Sequence, residues 1–181
     1  TSDGATAHGF YYPPTSATYE GGEDELPPLI VNVHGGPTAT AVPGYDLRIQ
    51  YWTSRGFAYL DVNYRGSMGY GTGYRKALEG KWGVYDVDDC VNGAQHLVDA
   101  GLVDPRRIAI RGGSAGGFTV LSAITRSSVF TAASSCFGVT DLKRLVRTTH
   151  KFESHYIGQL VGTQDINDPV LDERSPINHI E

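Results

Sequence analysis

The chain has 181 residues, of which 40% are hydrophobic and 19% charged, and 15 Lys and Arg against 20 Asp and Glu give a net charge of −5. This length fits one domain with a sizeable core, and an acidic chain without a basic stripe is a poor candidate for nucleic-acid binding. No apolar run approaches the roughly 20 residues of a membrane span. The N-terminus also lacks a secretory signal pattern, so no membrane partner is predicted and a cytoplasmic location is the default expectation.

Strands and helices alternate along the chain, with short connections between them. The continuous apolar run Leu29–Val33 is typical of a strand buried on both faces of a parallel sheet. The predicted strands are 5–12, 29–33, 57–63, 107–111 and 131–137, and the predicted helices are 45–54, 87–98 and 117–125. After Phe137 no further strand is clear, because 143–155 is polar or helical and 158–172 is loop-like. This alternation predicts the α/β class with a mostly parallel sheet flanked by helices.

Cysteine and histidine content gives no sign of a metal site. Cys90 lies in a helical pattern and Cys136 in a strand-like run, so both are predicted to be small buried side chains rather than a disulfide framework. The six histidines are scattered and show no metal-ligand spacing. No metal or other cofactor is predicted.

The segment Gly112–Gly116 has the pattern G-x-S-x-G, with Ser114 at its centre. A predicted strand runs directly into it and a predicted helix leaves it, which is the context of a nucleophile on a strained strand-to-helix turn. Small neighbours let the serine side chain stand clear of the backbone, and the helix N-terminus points its dipole at it. The alternative is a glycine-rich turn with a helix-capping serine.

A second glycine-rich segment, His34-Gly35-Gly36-Pro37, follows the strand Leu29–Val33. In an open parallel sheet the active crevice lies at the carboxyl ends of the strands. Two glycines there leave a backbone N–H free to face a developing oxyanion, and the N–H of Ala115 would be the second donor. A plain turn is the alternative for the segment, and His34 is interpreted as a structural residue that braces the loop.

Several motifs together resemble the catalytic domain of the prolyl oligopeptidase family, and within it the acylaminoacyl-peptidase or dipeptidyl-aminopeptidase-like branch. The likeness extends from Leu29 to Glu181. The motifs that carry it are His34-Gly35-Gly36-Pro37, Asp61–Ser67, Gly80-Lys81-Trp82-Gly83, Gly112–Gly117, Thr149–Glu153 and Glu173–Ile177.

The resemblance implies an α/β-hydrolase fold in which Ser114 is the nucleophile and the Gly36 and Ala115 N–H groups are the oxyanion donors. It also implies short peptide substrates and, in the parent chain, an N-terminal propeller that filters them by size. By similarity an apolar pocket would receive the residue before the scissile bond; the residues at the matching positions are Leu142, Phe152, Tyr156 and Ile157. The bare sequence equally allows these four to be core of a small helical cap.

Asn63, Tyr64 and Arg65 end a predicted strand near the crevice. We expect them to position the neighbouring loop by hydrogen bonds, and direct substrate contact is the alternative. Both roles need polar groups at the carboxyl edge of the sheet.

The triad of this fold runs in the order Ser, Asp, His, with the last two after later strands. Residues 1–181 are therefore expected to be part of one α/β-hydrolase domain, incomplete at its C-terminal end, with the propeller, the last strands and the remaining triad members elsewhere in the parent chain. The isolated chain is expected to be inactive. The predicted function is a serine-type aminopeptidase or oligopeptidase. A carboxylesterase of the same fold and a non-catalytic hydrolase-like binding module remain as alternatives.

Overall fold

The computed structural model describes residues 1–22, 24–149 and 151–180, except for the side chains of 151–154. Within this part of the chain five strands form one sheet. The elements in chain order are β1 (His8–Tyr12), β2 (Leu29–Val33), α1 (Leu47–Thr53), β3 (Ala58–Asn63), α2 (Gly71–Lys76), α3 (Tyr85–Asp99), β4 (Ile108–Gly113), α4 (Ala115–Ile124), β5 (Ala132–Cys136), α5 (Leu142–Thr148), α6 (Lys151–Val161), α7 (Pro169–Arg174) and a 3₁₀ turn at Pro176–His179.

The strands lie in the order β1-β3-β2-β4-β5. Strands β2, β3, β4 and β5 run parallel to one another, and β1 pairs antiparallel with β3. The connection after β2 leads to β3 on one side, whereas the connection after β4 leads to β5 on the other. The carboxyl ends of β2 and β4 therefore flank a topological switch point, where open α/β sheets form their binding crevice.

Side chains alternate along the central strands and so build a core on each face of the sheet. Ile30 and Tyr59 pack with Ile49 of α1 on one face. The other face carries the larger core, in which β-strand side chains meet α3, α4 and the C-terminal helices. Burial on both faces explains the continuous apolar run in β2. None of the helices in the described ranges is long and apolar enough to cross a membrane.

The sequence predicted β2 with its observed bounds and placed β1, β3, β4, β5, α1, α3 and α4 within a few residues of theirs. The loop-like interpretation of 158–172 was wrong, because α6 continues to Val161 and α7 begins at Pro169. The missed signal is Asp168-Pro169: Asp168 caps α7 by accepting a hydrogen bond from the Val170 N–H at 3.0 Å. Proline is favoured at the first position of a helix because its missing N–H has no intrahelical partner there.

The two cysteines differ in their environment. Cys90 of α3 is fully buried, as predicted, and burial raises the pKa of its thiol. Cys136 is exposed, so the prediction of a buried side chain was wrong there. It ends β5, the outermost strand of the described sheet, most of whose residues are exposed.

Candidate active site

Ser114 lies on the turn between β4 and α4 in a backbone conformation that serine rarely adopts. Its φ is 55° and its ψ is −120°. Among the described non-glycine residues, only Phe137 also has a positive φ. The Ser114 N–H donates to the Cys136 carbonyl at 3.0 Å, and the Phe118 N–H donates to the Ser114 carbonyl at 3.0 Å. These bonds hold the strained turn at the carboxyl edge of the sheet, which is the geometry of a nucleophile elbow.

Gly116 lets the turn pack directly on the end of β2. A Cβ atom built at Gly116 would overlap the Val33 carbonyl oxygen and lie 2.8 Å from the His34 carbonyl oxygen. Real Cβ atoms do not come this close to backbone, so a side chain at 116 would separate the first turn of α4 from β2. The glycine of the motif is therefore required by packing as well as by the turn itself.

The loop after β2 runs over the same turn. A Cβ atom at Gly35 would lie 2.8 Å from the Gly113 carbonyl oxygen and 3.5 Å from the Ser114 Cβ. Gly36 follows with a φ of +54°, in the left-handed region that favours glycine. The two predicted donor segments thus meet at Ser114. The first amides of α4, including that of Ala115, belong to the N–H groups that a helix leaves without an intrahelical partner. Such groups can bind a negatively charged oxygen.

His34 braces this loop, as its sequence context indicated. Its ring stacks on Tyr64 with centroids 4.4 Å apart, and its Nε2 lies 2.8 Å from the Ser67 Oγ. Its Nδ1 lies 3.1 Å from the Gly35 carbonyl oxygen. Burial lowers the pKa of the imidazole, so the neutral ring is favoured at pH 7. Both ring nitrogens are engaged in fixing the loop.

Asn63 positions the continuation of the same loop. Its side-chain oxygen accepts from the Ala41 N–H at 2.7 Å, and its amide nitrogen donates to the Ala41 carbonyl at 2.9 Å and to the Tyr70 hydroxyl at 3.0 Å. The side chain is fully buried. A buried amide with these partners is structural, which supports loop positioning over substrate contact.

Arg65 is a buried ion-pair centre beside the site. Its guanidinium donates to Asp89 at 2.8 Å, to Asp88 at 3.0 Å and to Asp3 at 2.7 Å, and its carbon Cζ lies 3.7 Å from the centre of the Tyr85 ring. The Arg65 backbone N–H also donates to Asp89, at 2.6 Å. A bidentate, desolvated arginine of this kind fixes the segment that carries it.

The four predicted pocket residues have different surroundings. Leu142 has no exposed surface and Ile157 is 6% exposed, and both belong to the larger core. Tyr156 is partly exposed, and its hydroxyl lies 2.8 Å from the Thr38 Oγ1 in the loop after β2. The side chain of Phe152 lies outside the described residues. Core packing accounts for Leu142 and Ile157, and Tyr156 is the member placed next to the Gly36 loop.

One buried residue near the turn at Ser114, Asp86, was not singled out from the sequence. Asp86 of α3 is fully buried, accepting from the Gly83 N–H at 2.6 Å and from the Thr119 hydroxyl of α4 at 2.5 Å. The available signal was the pattern Gly83-x-x-Asp86-x-x-Asp89 on a helix face that otherwise carries buried apolar residues. Acidic residues on such a face are rarely left without partners.

Burial raises the pKa of Asp86 to about 6, although the Thr119 and Gly83 hydrogen bonds oppose the shift. Ionising Asp86 therefore costs the folded state free energy, about 3 kcal/mol at pH 7 for a shift of about 2 units. This cost is present above pH 6 and is relieved as the pH falls toward 4. Because Asp86→Asn removes the titration, we expect wild type to gain stability relative to this variant as the pH is lowered.

Urea unfolding of wild type and Asp86→Asn at pH 4.5, 5.5, 6.5 and 7.5 measures this difference. The comparison between the two proteins cancels the contributions of carboxylates that do not interact with Asp86. A difference in free energy of unfolding that stays constant over the series would contradict the raised pKa.

A base for Ser114 is not found in the part of the chain that the structure describes. His34 is engaged with Ser67 and Gly35, and the Nε2 of His179 lies 2.8 Å from the Glu173 carbonyl oxygen. His150 lies outside the described residues. Within the described ranges no imidazole is hydrogen-bonded to Ser114, and no group of three or more His, Cys, Asp or Glu is arranged to hold a metal ion.

The largely parallel sheet, the switch point and the strained serine between β4 and α4 together define an α/β-hydrolase fold, as the sequence predicted. The profile of the prolyl oligopeptidase family matches residues 43–181. The chain belongs to this family.

Known relatives and a solved structure agree with this assignment. The acylamino-acid-releasing enzyme of Arabidopsis thaliana is 33% identical over 180 residues, covering 93% of this chain and 23% of that protein. Dipeptidyl aminopeptidase BIII of Pseudoxanthomonas mexicana is 32% identical over 171 residues, covering 91% of this chain and 25% of that protein. A puromycin-hydrolyzing peptidase of Mycobacterium tuberculosis superposes with a TM-score of 0.93 at 50% identity, over 96% of this chain and 26% of that one. The chain spans about a quarter of the length of these relatives.

Proposed function

We propose that the protein carrying this chain is a serine peptidase that cleaves short peptides by acyl transfer, with Ser114 as nucleophile. The observation that carries the proposal is the backbone of Ser114, held at φ 55° and ψ −120° between β4 and α4 and packed against the loop at Gly35. A capping serine in an ordinary turn needs no such conformation.

In the proposed reaction the Ser114 Oγ attacks the carbonyl carbon of the peptide bond and its proton passes to a base. The electron pair of the carbonyl moves to its oxygen, which the Gly36 and Ala115 N–H groups stabilise. Collapse of this intermediate forms an acyl-enzyme and expels the amine, which takes the proton back from the base. Water then attacks the acyl-enzyme carbonyl with the help of the same base and donors, which releases the carboxylic acid product and restores the Ser114 hydroxyl.

The base and its orienting carboxylate are proposed to be a His and an Asp in other parts of a longer parent protein, with a propeller that admits only short peptides. The support for a longer parent is that the chain spans about a quarter of its relatives' length. A serine hydroxyl without a base is a weak nucleophile, so the reaction requires these groups.

For the substrate we propose short peptides cleaved near their N-terminus. The names of two relatives, acylamino-acid-releasing enzyme and dipeptidyl aminopeptidase, describe release of this kind. Tyr156 is proposed to form one wall of the pocket before the scissile bond, because it is partly exposed and its hydroxyl meets Thr38 beside the Gly36 loop.

A fluorophosphonate probe on the full-length protein tests the nucleophile. We expect covalent labelling at Ser114, located by peptide mass mapping, because the probe reacts with serines activated for acyl transfer. Labelling should disappear in Ser114→Ala and persist in Ser54→Ala, a matched change at an exposed serine.

Substrate assays then separate peptidase from esterase. Hydrolysis of an aminoacyl-anilide that is lost in Ser114→Ala supports the peptidase, whereas hydrolysis of a p-nitrophenyl ester alone supports a carboxylesterase. A folded full-length protein that is neither labelled nor active would contradict the proposal and favour a binding module.

A further inference from the structure

Helix α3 carries two buried carboxylates, Asp86 and Asp89, three residues apart. Asp86 has no exposed surface and Asp89 is 1% exposed. Residues at this spacing share one face of a helix. Burying two carboxylates so close together costs free energy unless each is hydrogen-bonded to a partner. The partners of the two side chains belong to different segments of the site.

Asp86 is bonded to the helix that follows Ser114. It accepts from the Thr119 hydroxyl at 2.5 Å, and the same hydroxyl oxygen lies 3.2 Å from the Ala115 carbonyl oxygen. Thr119 is fully buried on the first turns of α4. The contact therefore fixes α3 against the first turn of α4, whose Ala115 N–H is one proposed oxyanion donor.

Asp89 is bonded to the loop that follows β3. It accepts from the Arg65 N–H at 2.6 Å and from the Arg65 guanidinium at 2.8 Å. Two residues along this loop, the Ser67 Oγ lies 2.8 Å from the His34 Nε2. His34 precedes Gly35 and Gly36, so this chain of contacts ends at the other proposed oxyanion donor.

A second contact ties the same two loops together. The Met68 N–H donates to the Ala39 carbonyl at 3.0 Å, and the Ala39 N–H in turn donates to the Gly36 carbonyl. The loop anchored by Asp89 is thus joined to both sides of Gly36. One helix of 15 residues thus contacts α4 directly and the Gly36 segment through the loop after β3.

We propose that Asp86 and Asp89 are positioning residues that set the separation of the Ala115 and Gly36 N–H groups. The two donors come from segments far apart in sequence, yet both must lie about 3 Å from one oxygen. A displacement of about 1 Å costs on the order of 100-fold in rate. Because the donors matter only if Ser114 is the nucleophile, the inference rests on the proposed function.

Kinetics of Asp86→Asn and Asp89→Asn in the full-length protein test the proposal. We expect kcat on an aminoacyl-anilide to fall by about 10-fold or more while KM changes less than about 3-fold, because the donors act mainly on the intermediate. Affinity for a peptide aldehyde, which forms a tetrahedral adduct with Ser114, should fall by a similar factor. Asp99→Asn, at an exposed position of the same helix, is the matched control and should leave both values unchanged.

Thr119 provides a milder test if a carboxylate variant does not fold. Thr119→Ser keeps the hydroxyl and should retain wild-type kcat, whereas Thr119→Val removes it and should lower kcat and aldehyde affinity together. Urea midpoints show whether each variant is folded. Folded variants that keep wild-type kcat and aldehyde affinity would overturn the inference alone; a wild type that is not labelled at Ser114 would overturn the proposed function and the inference with it.

Discussion

The 181-residue chain, assayed by itself, is expected to hydrolyse a p-nitrophenyl ester no faster than its Ser114→Ala variant. In the described ranges no imidazole is hydrogen-bonded to Ser114; both ring nitrogens of His34 and the Nε2 of His179 contact other groups. Loss of the base from a serine triad lowers kcat on the order of 10⁶-fold. The measurement is ester and anilide turnover by the purified chain.

The full-length protein, assayed in parallel, is the positive control for the substrates. Turnover by the 181-residue chain that disappears in Ser114→Ala would contradict the prediction. It would direct attention to His150, His155 and His179 as sources of the base.

Gly116→Ala is expected to lower the free energy of unfolding by about 3 kcal/mol, at the upper end of what overpacking costs. The new Cβ would overlap the Val33 carbonyl oxygen and lie 2.8 Å from that of His34. Both atoms are backbone of a central strand and its loop, so neither can rotate away. Any relief must shift Ser114, and activity of the full-length protein should fall on the order of 100-fold. Urea unfolding and fluorophosphonate labelling measure the two effects.

Gly73→Ala is the matched control, since it is also a glycine within a helix. No atom lies within 4 Å of a Cβ built there, so the alanine should stabilise α2 by about 0.5–1 kcal/mol through its better helix propensity. Equal stabilities for Gly116→Ala and Gly73→Ala would show that the contact between α4 and β2 is looser than described.

The parts of the fold that the sequence predicted best are those with a strong local signal. Leu29–Val33 is apolar throughout because β2 is buried on both faces, and its bounds were predicted as observed. Gly112–Gly116 indicated the elbow, and at Gly112 and Gly116 the Val33 carbonyl oxygen of β2 leaves no room for a Cβ atom. The structural role of His34, which supports the loop after β2, was also predicted from its position directly after a central strand.

The predictions that were wrong rested on weaker local sequence patterns. Cys136 lies in a strand-like run, but whether such a residue is buried depends on the strand's place in the sheet. Helix α7 was missed because six residues are too few to show a helical pattern of apolar residues. The helix-capping signal of Asp168 before Pro169 was also overlooked. For Leu142 and Ile157 the sequence allowed core or pocket, and that both are buried in the larger core is visible only in the packed chain.

The sequence by itself determined the α/β class and the family resemblance and predicted Ser114 as the nucleophile, because these depend on residues adjacent along the chain. The tertiary structure decided how distant segments meet: the Gly35 segment against the turn at Ser114, the Asn63 amide on the loop at Ala41, and α3 on both α4 and the loop after β3. Such contacts join residues more than 20 positions apart, and their hydrogen-bond partners leave no periodic pattern. Their selection depends on burial, which makes an unpaired carboxylate or amide costly and is itself a property of the packed chain.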